Sequence, residues 1–277
     1  MPSAPQLFRV ALLVVASALL LAGPASALTA SRCAAIAGHD VPVVHVALGE
    51  AATPSGPVRI TFVGHATFRV ESPGGVLIAT DYAGFAGRGP LPDVVTMNHA
   101  HETHYTLFPD RRIAHVLEGW GDESGPARHD VVVGDVHIRN VPTDIRAAEG
   151  LREKDGNSIF IFEVAGLCIG HLGHLHHTLG PEHLGQIGQL DIVMVPVDGS
   201  FTMAQSSMVE VLDLLKARIV LPMHYFSQRT LDAFLIRLGL TFDVVQAGGS
   251  TIEVTPATLP ARKTVIVLAE QSPLTFE

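Results

Sequence analysis

Basic side chains are scarce in this chain of 277 residues. Lys and Arg number 18 against 27 Asp and Glu, so the formal net charge is -9 at pH 7 with histidine neutral. Binding of nucleic acid without sequence preference needs a basic face, and we therefore expect no nucleic-acid partner. Charged residues make up 16% of the chain and hydrophobic residues 47%. That balance is typical of a well-buried globular protein and excludes a disordered one.

Long hydrophobic runs are also lacking. The longest, Val10 to Ala22, follows Arg9 and ends at Gly23-Pro24, ahead of Ala25-Ser26-Ala27. A positive start, a short apolar stretch and a small-x-small ending predict a signal peptide over residues 1–27, cleaved near Ala27. A membrane anchor is the alternative, but it needs about 20 apolar residues. We expect a periplasmic or secreted protein with no stable membrane insertion after cleavage.

Cysteine is nearly absent, with only Cys33 and Cys168. An oxidising compartment permits a disulfide between them. However, Cys33 lies in a lead-in segment, residues 28–57, which is rich in Ala, Pro and Gly. Cys168 lies in an apolar run with the pattern of a core strand. We therefore expect no disulfide and a buried, inert thiol at Cys168.

The order of elements indicates two packed sheets. Short β-rich runs follow one another from Val58 onward, with hairpins turning at Gly134-Asp135 and at Ala165-Gly166. The second half alternates short apolar strands with predicted helices at Pro181–Ile187, Met203–Lys216 and Leu231–Leu238. Strands first and strand–helix units later favour two sheets face to face with helices outside. No internal repeat or low-complexity linker is present, so residues 58–277 are predicted to form one domain.

Histidine is the residue that is abundant, with 15 copies. His99, His101 and His104 follow directly on the predicted strand Asp93 to Met97. Spacings of two and three residues at a strand end let imidazoles converge on a metal ion. The alternative is a solvated polar loop, which explains one histidine more readily than three within six residues.

Two further strand ends also carry histidines. His171, His174, His176 and His177 follow the second hairpin, and His224 follows a short apolar strand. His171 could instead be a core residue with satisfied hydrogen bonds, and His176 and His177 could be surface or supporting residues. Sites in α/β folds lie beyond strand ends, so histidines at three strand ends point to one site.

The order of these motifs resembles the metallo-β-lactamase superfamily. Within it, the chain is similar to the branch of ascorbate-6-phosphate lactonase and N-acyl-phosphatidylethanolamine phospholipase D. The resemblance covers roughly residues 58 to 268. It implies an α/β fold, a four-layer αββα sandwich, with a metal site at one sheet edge. Besides the histidine motifs it is carried by Gly64-His65-Ala66-Thr67-Phe68, Ala79-Thr80-Asp81, Asn157-Ser158-Ile159-Phe160, His171-Leu172-Gly173 and Pro196-Val197-Asp198-Gly199.

Both aspartates of the family's metal site are replaced in this chain. Thr103 stands where His-x-His-x-Asp-His has Asp, and His174 stands where an aspartate bridges two metals. Near the place of a further family histidine the chain has Thr143-Asp144. The resemblance then implies a metal, zinc as one or two ions with manganese or iron as alternatives. The predicted ligands are His99, His101, His104, Asp144, His174 and His224.

The resemblance implies an exported hydrolase for a small-molecule substrate. A metal-activated water would attack an ester, lactone, amide or phosphodiester. The predicted catalytic residues are His174 and Asp198 for proton handling and Tyr225 for hydrogen bonding to an oxyanion, with His65 as another candidate for proton handling. Asp81 is expected to orient a histidine from behind. The alternative is a metal- or ligand-binding protein that kept the fold and lost turnover. The sequence does not indicate an oligomeric state.

Overall fold

The structure is a computed structural model that describes Cys33 and residues 54–99, 101–146 and 151–271. The predicted signal peptide lies outside the described residues, as does most of the predicted lead-in. The strands are β1 Val58–Gly64, β2 Thr67–Glu71, β3 Leu77–Ala79, β4 Val94–Met97, β5 His115–Glu118, β6 Asp130–Val133, β7 Val136–Arg146, β8 Arg152–Val164, β9 Leu167–His171, β10 Ile192–Pro196, β11 Ile219–Met223, β12 Asp243–Gln246, β13 Thr251–Val254 and β14 Thr264–Val267.

These strands form two mixed sheets. One has six strands in the order β13-β1-β2-β3-β4-β5, and the other has eight in the order β12-β14-β11-β10-β9-β8-β7-β6. The hairpins of the sequence appear as the antiparallel pairs β6–β7 and β8–β9. Strands β9, β10, β11 and β14 run parallel. Their carboxyl ends therefore meet at one edge of the eight-stranded sheet.

One hydrophobic core lies between the two sheets. Alternate residues of β1, such as Val58, Ile60 and Phe62, point inward and are buried. They meet Phe160 and Phe162 of β8 in one hydrophobic cluster. Side chains alternate between the faces of a strand, so this period of two places one face of each sheet in the core.

Three helices cover the outer face of the eight-stranded sheet: α1 Pro181–Ile187, α2 Gln205–Leu215 and α3 Gln228–Leu238. Pro181 begins α1, as its fixed φ favours. Ser227 caps α3, because its hydroxyl accepts a hydrogen bond from Thr230 N. The buried faces of α2 and α3 join residues of β8, β10 and β11 in a second hydrophobic cluster. None of the helices in the described part of the chain is long and apolar enough to cross a membrane.

The outer face of the six-stranded sheet is covered by loops in the described residues. Tyr82, Ala86 and Ile113 pack there on Val95 and Met97 of β4. The predicted α/β sandwich of two sheets is confirmed. The three helices all lie on one side of it.

A disulfide joins Cys33 to Cys168, so the expectation of two separate thiols is wrong. The two Cα atoms lie 5.7 Å apart across a sequence separation of 135 residues. Cys33 is itself buried in the cluster beneath the helices, and its carbonyl accepts a hydrogen bond from Gln189 N. The composition around Cys33 predicts a lead-in segment, whereas in the structure Cys33 is buried in the core beside the strand β9.

This disulfide should contribute substantially to stability, because it closes a long loop in the unfolded chain. The entropy of closing a loop of 135 residues is worth about 5 kcal/mol. We predict that Cys33→Ala with Cys168→Ala lowers the free energy of unfolding by that order in urea titrations. The oxidised parent and the parent with reductant serve as controls. Two free thiols in the native parent by mass spectrometry, or a double variant as stable as the oxidised parent, would contradict the assignment.

Candidate metal centre

Four strand ends from both sheets deliver histidines to one place. His65 follows β1, His104 lies in the loop after β4, His174 follows β9 and His224 follows β11. His65 and His224 adopt left-handed backbone conformations, with φ of 53° and 54°. Such conformations are uncommon outside glycine and cluster at functional sites. His224 N donates to His65 O at 2.6 Å, which ties the two sheets together at this edge.

His65, His104 and His224 form a compact group. One potential ligand atom from each lies within 4.8 Å of the others. The ring centroids of His65 and His224 are 4.3 Å apart, and both rings lie 5.1 Å from that of His104. Three imidazoles at this spacing can surround a single cation.

Asp81 fixes the ring of His104 from behind. Its Oδ2 accepts a hydrogen bond from His104 Nδ1 at 2.8 Å, and its Oδ1 accepts one from Asn98 Nδ2 at 2.7 Å. Burial alone would raise the pKa of Asp81, but His171, His104 and these hydrogen bonds hold that pKa below its usual value. His104 Nδ1 therefore carries the proton, and its buried Nε2, which has no hydrogen-bond partner among the described residues, presents a lone pair. A carboxylate behind an imidazole is the arrangement found at metal-ligating histidines.

Asp198 plays the same part for His224. Its Oδ1 accepts from His224 Nδ1 at 3.0 Å, and the carboxylate also accepts hydrogen bonds from Thr202 Oγ1 and from Ser200 N. Burial would raise the pKa of Asp198, yet these donors hold it far below its usual range. A carboxylate so fully engaged is a poor base. Its position behind His224 points to orientation rather than to the predicted proton handling.

His174 lies against the same group. Its ring centroid is 4.7 Å from that of His104, 4.8 Å from that of His224 and 4.9 Å from that of His101. Gly173 has a φ of 57° and approaches the side chain of Asn157 so closely that no Cβ fits there. This turn aims His174 into the cluster, where its side chain is fully buried. His101 is exposed, and its ring lies against those of His104 and His174.

Two predicted ligands are held elsewhere. His99 Nδ1 pairs with Glu153 Oε1 at 2.7 Å, and its ring lies beside Tyr105 and Trp120. Asp144 accepts hydrogen bonds from Arg152 and from the backbone of Asp155. The structure therefore does not bring His99 or Asp144 into the cluster, because each is engaged by a partner on the hairpin β7–β8.

Phe226, rather than its neighbour Tyr225, lies against His65 and His224. The half-buried ring of Tyr225 lies beside Phe62 and contacts both hydrophobic clusters. Phe226 is exposed and its ring centroid lies 5.3 Å from that of His224 and 5.8 Å from that of His65. The hydrogen bond from Tyr225 to an oxyanion stays a prediction, and sequence reasoning missed Phe226.

Sequence reasoning placed His65 among the family motifs without predicting it as a ligand. The signal was present, because His65 follows an apolar strand just as His224 does. Thr103, which replaces the family's aspartate, lies at hydrogen-bond distance from His65, with Oγ1 3.1 Å from Nε2. If Nε2 donates to Thr103, the Nδ1 lone pair of His65 is free for a cation. His171 is the satisfied core histidine of the alternative interpretation, because Nε2 donates to Ala66 O and Nδ1 accepts from Gly173 N.

Comparisons with known proteins agree with this architecture. Residues 59–224 match the family model described as the beta-lactamase superfamily domain. A UPF0173 metal-dependent hydrolase of Pyrococcus furiosus is 28% identical over 195 residues, which span 61% of this chain and 84% of that protein. A solved structure from Thermotoga maritima, described as a Zn-dependent hydrolase of the metallo-beta-lactamase superfamily, shares 30% identity. It covers 77% of this chain and 100% of that one, with a TM-score of 0.56.

A second solved structure is similar in fold alone. It comes from Parabacteroides distasonis and is 17% identical over 66% of this chain and 89% of that chain, with a TM-score of 0.53.

The geometry predicts which histidines hold a cation. We expect His65→Ala, His104→Ala and His224→Ala each to weaken zinc binding at least about 100-fold, roughly 2.7 kcal/mol, because each removes a converging nitrogen. His99→Ala is the matched control and should stay within about twofold of the parent. Competition with a chromogenic chelator measures these affinities. Equal losses for His99→Ala and His65→Ala would show that the cation sits among the residues predicted from the sequence motif instead.

Proposed function

Because the chain belongs to the metallo-β-lactamase superfamily, we propose that it is a hydrolase whose metal is held by His65, His104 and His224. The observation that carries this proposal is the convergence of the three imidazoles, two of them backed by buried carboxylates. The buried Nε2 of His104, for which the described part of the chain offers no hydrogen-bond partner, is the polar atom that a bound cation would satisfy. We propose an ester, lactone, amide or phosphodiester as the bond that is cleaved.

Zinc suits this donor set best. Three histidine nitrogens with an open fourth position are a common catalytic arrangement for zinc, and imidazole also suits manganese and iron. The group formed by His65, His104 and His224 supports one ion. Against a second ion, Thr103 stands in place of the family's aspartate and contacts His65, and His99 is paired with Glu153. We therefore propose one zinc ion per chain.

The protein's own residues position this chemistry. A bound metal supplies Lewis acidity and lowers the pKa of water. Asp81 and Asp198 hold the rings of His104 and His224 so that Nε2 of each faces the site. In hydrolysis the water oxygen bonds to the acyl or phosphoryl centre, the bond to the leaving group breaks, and the leaving group takes up a proton from water. The fixed rings keep the reacting groups in one geometry, which lowers the entropic part of the barrier.

Two exposed phenylalanines at the mouth of the site favour an apolar group on the substrate. The ring centroids of Phe201 and Phe226 lie 5.5 Å apart, and 56% and 61% of the two residues is exposed. Phe201 also lies 6.1 Å from His101, centroid to centroid. Exposed aromatics beside a polar centre bury the apolar part of a ligand. We propose a substrate with an acyl chain or an aromatic ring next to the bond that is cleaved.

We also propose that the protein works outside the cytoplasm. The predicted signal peptide over residues 1–27 motivates this, and the Cys33–Cys168 disulfide supports it, since disulfides persist in oxidising compartments. A periplasmic or secreted location is consistent with both.

Metal content and turnover together test the proposed function. The mature protein should hold one zinc ion per chain by elemental analysis. It should also hydrolyse at least one member of a panel of esters, lactones, amides, phosphodiesters and a β-lactam. Chelation should abolish turnover, and zinc should restore it. His224→Ala is the control without activity. A full complement of zinc with no turnover across the panel would favour the alternative, a binding protein on a hydrolase fold.

The exposed pair Phe201 and Phe226 leads to a separate prediction about the length of the substrate's acyl chain. Phe226→Ser should raise the KM for p-nitrophenyl octanoate about tenfold, while that for p-nitrophenyl acetate stays within about twofold. Tenfold is about 1.4 kcal/mol, the burial of roughly two methylene groups. Val132→Ser is the control, because Val132 is also an exposed apolar residue and lies on β6 at the far edge of the eight-stranded sheet. The same rise for both esters would show that Phe226 does not select the acyl chain.

A further inference from the structure

His174 is buried in the histidine cluster with one ring nitrogen unaccounted for. No part of its side chain is exposed, and Nε2 has no hydrogen-bond partner in the described residues. Buried polar atoms are nearly always satisfied, so this nitrogen is expected to meet a ligand. Whether it offers a lone pair or an N–H depends on where the ring carries its proton. The neighbours on the other side of the ring decide that.

A series of hydrogen bonds that begins at Arg146 determines which ring nitrogen of His176 and of His174 carries the proton. The backbone N–H of Arg146 donates to His176 Nδ1 at 2.8 Å, and its Nε–H donates to the same atom at 3.3 Å. His176 Nδ1 is therefore an acceptor and bears no proton, so the proton of this ring is on Nε2. His176 Nε2 lies 2.5 Å from His174 Nδ1 and donates to it. With Nδ1 occupied as an acceptor, the proton of His174 is on Nε2.

Arg146 is itself held firmly at the end of β7. Its guanidinium Nη2 donates to the carbonyl oxygens of Ser200, Phe201 and Thr202 at 2.8, 3.1 and 2.6 Å. The backbone donor belongs to the strand β7. Reversal of the proton order would place a proton on His176 Nδ1 directly against two N–H groups. The fold thus fixes the donor-to-acceptor direction of the hydrogen bonds from Arg146 through His176 to His174.

His174 consequently differs from the other buried histidines of the cluster. His104 and His224 donate from Nδ1 to carboxylates, so each presents an Nε2 lone pair that can bind a cation. His174 accepts at Nδ1 and presents Nε2–H. Rings of similar depth and spacing therefore offer two kinds of group, lone pairs from two rings and one hydrogen-bond donor.

We propose that His174 is not a metal ligand but a fixed hydrogen-bond donor, whose Nε2–H stabilises the oxyanion that develops on the substrate's carbonyl or phosphoryl group. This inference rests on the proposed hydrolase function. It replaces the ligand role predicted from the sequence motif. His174 keeps its proton throughout, so it stabilises charge without transferring a proton. Preorganised donors aimed at developing charge in a buried site are among the largest contributions to catalysis.

Metal affinity separates the two roles of His174. We expect zinc to bind His174→Ala and His174→Gln within about twofold of the parent in chelator competition, whereas His104→Ala loses at least about 100-fold. Long-range ¹H–¹⁵N correlation of the metal-free protein should show both His174 and His176 protonated on Nε2. Zinc affinity reduced tenfold or more in both His174 variants, or an Nδ1 proton on His174, would overturn the proposal.

Activity provides an independent reading. With p-nitrophenyl butyrate as the probe, His174→Ala should lower kcat about 100-fold with little change in KM. His174→Gln retains an amide N–H near the position of Nε2 and should recover at least tenfold of that loss. No recovery with Gln would count against a donor role. If the parent itself hydrolyses nothing, the hydrolase function fails, while the proton position and the zinc affinities still decide whether His174 is a ligand.

Discussion

A buried carboxylate, Asp81, joins the two sheets beneath the histidine cluster. It accepts hydrogen bonds from His104 and from Asn98, and Asn98 Oδ1 in turn accepts one from Ser158 N on β8 of the other sheet. A buried charge is costly unless it is paired and hydrogen-bonded. This network meets that requirement only when Asn98, just after β4, lies against Ser158 in the middle of β8. The electrostatics of one side chain thus fix how the two sheets meet at the site.

The same logic distributes protons around the cluster. Carboxylates behind His104 and His224 accept hydrogen bonds from Nδ1–H and so keep a proton on each Nδ1, whereas Arg146 acts through His176 to keep the Nδ1 of His174 without a proton. Neighbours that only accept and neighbours that only donate give identical rings opposite roles. The position of the proton on each ring, and with it the proposed role of each histidine, is therefore determined by the residue hydrogen-bonded to Nδ1. No inspection of the cluster alone would reveal it.

Much of this architecture could be predicted from local patterns. The helix Pro181–Ile187 and both hairpins follow from periodicity and turn residues, and α3 begins three residues before its predicted start because Ser227 caps it. His104, His174 and His224 were found because they follow apolar strands. The turn of His99 toward Glu153 could not be foreseen, since it depends on a partner 54 residues away. Cys33 was misjudged for a similar reason, because its burial is a matter of tertiary packing alone.

Two other carboxylates, Asp81 and Asp198, supply negative charge near the site in place of the two replaced family aspartates. A divalent cation among three neutral imidazoles would leave two positive charges in a buried place, which is costly without compensation. Asp81 and Asp198 lie one imidazole away and carry two negative charges, held ionised by the hydrogen bonds they accept. Charge balance is thus available through the rings of His104 and His224 rather than by direct coordination. A cation ligated only by neutral nitrogens retains more of its Lewis acidity than one bound to carboxylate oxygen. An N–H from His174 beside it, rather than another anion, is the group that complements a developing negative charge.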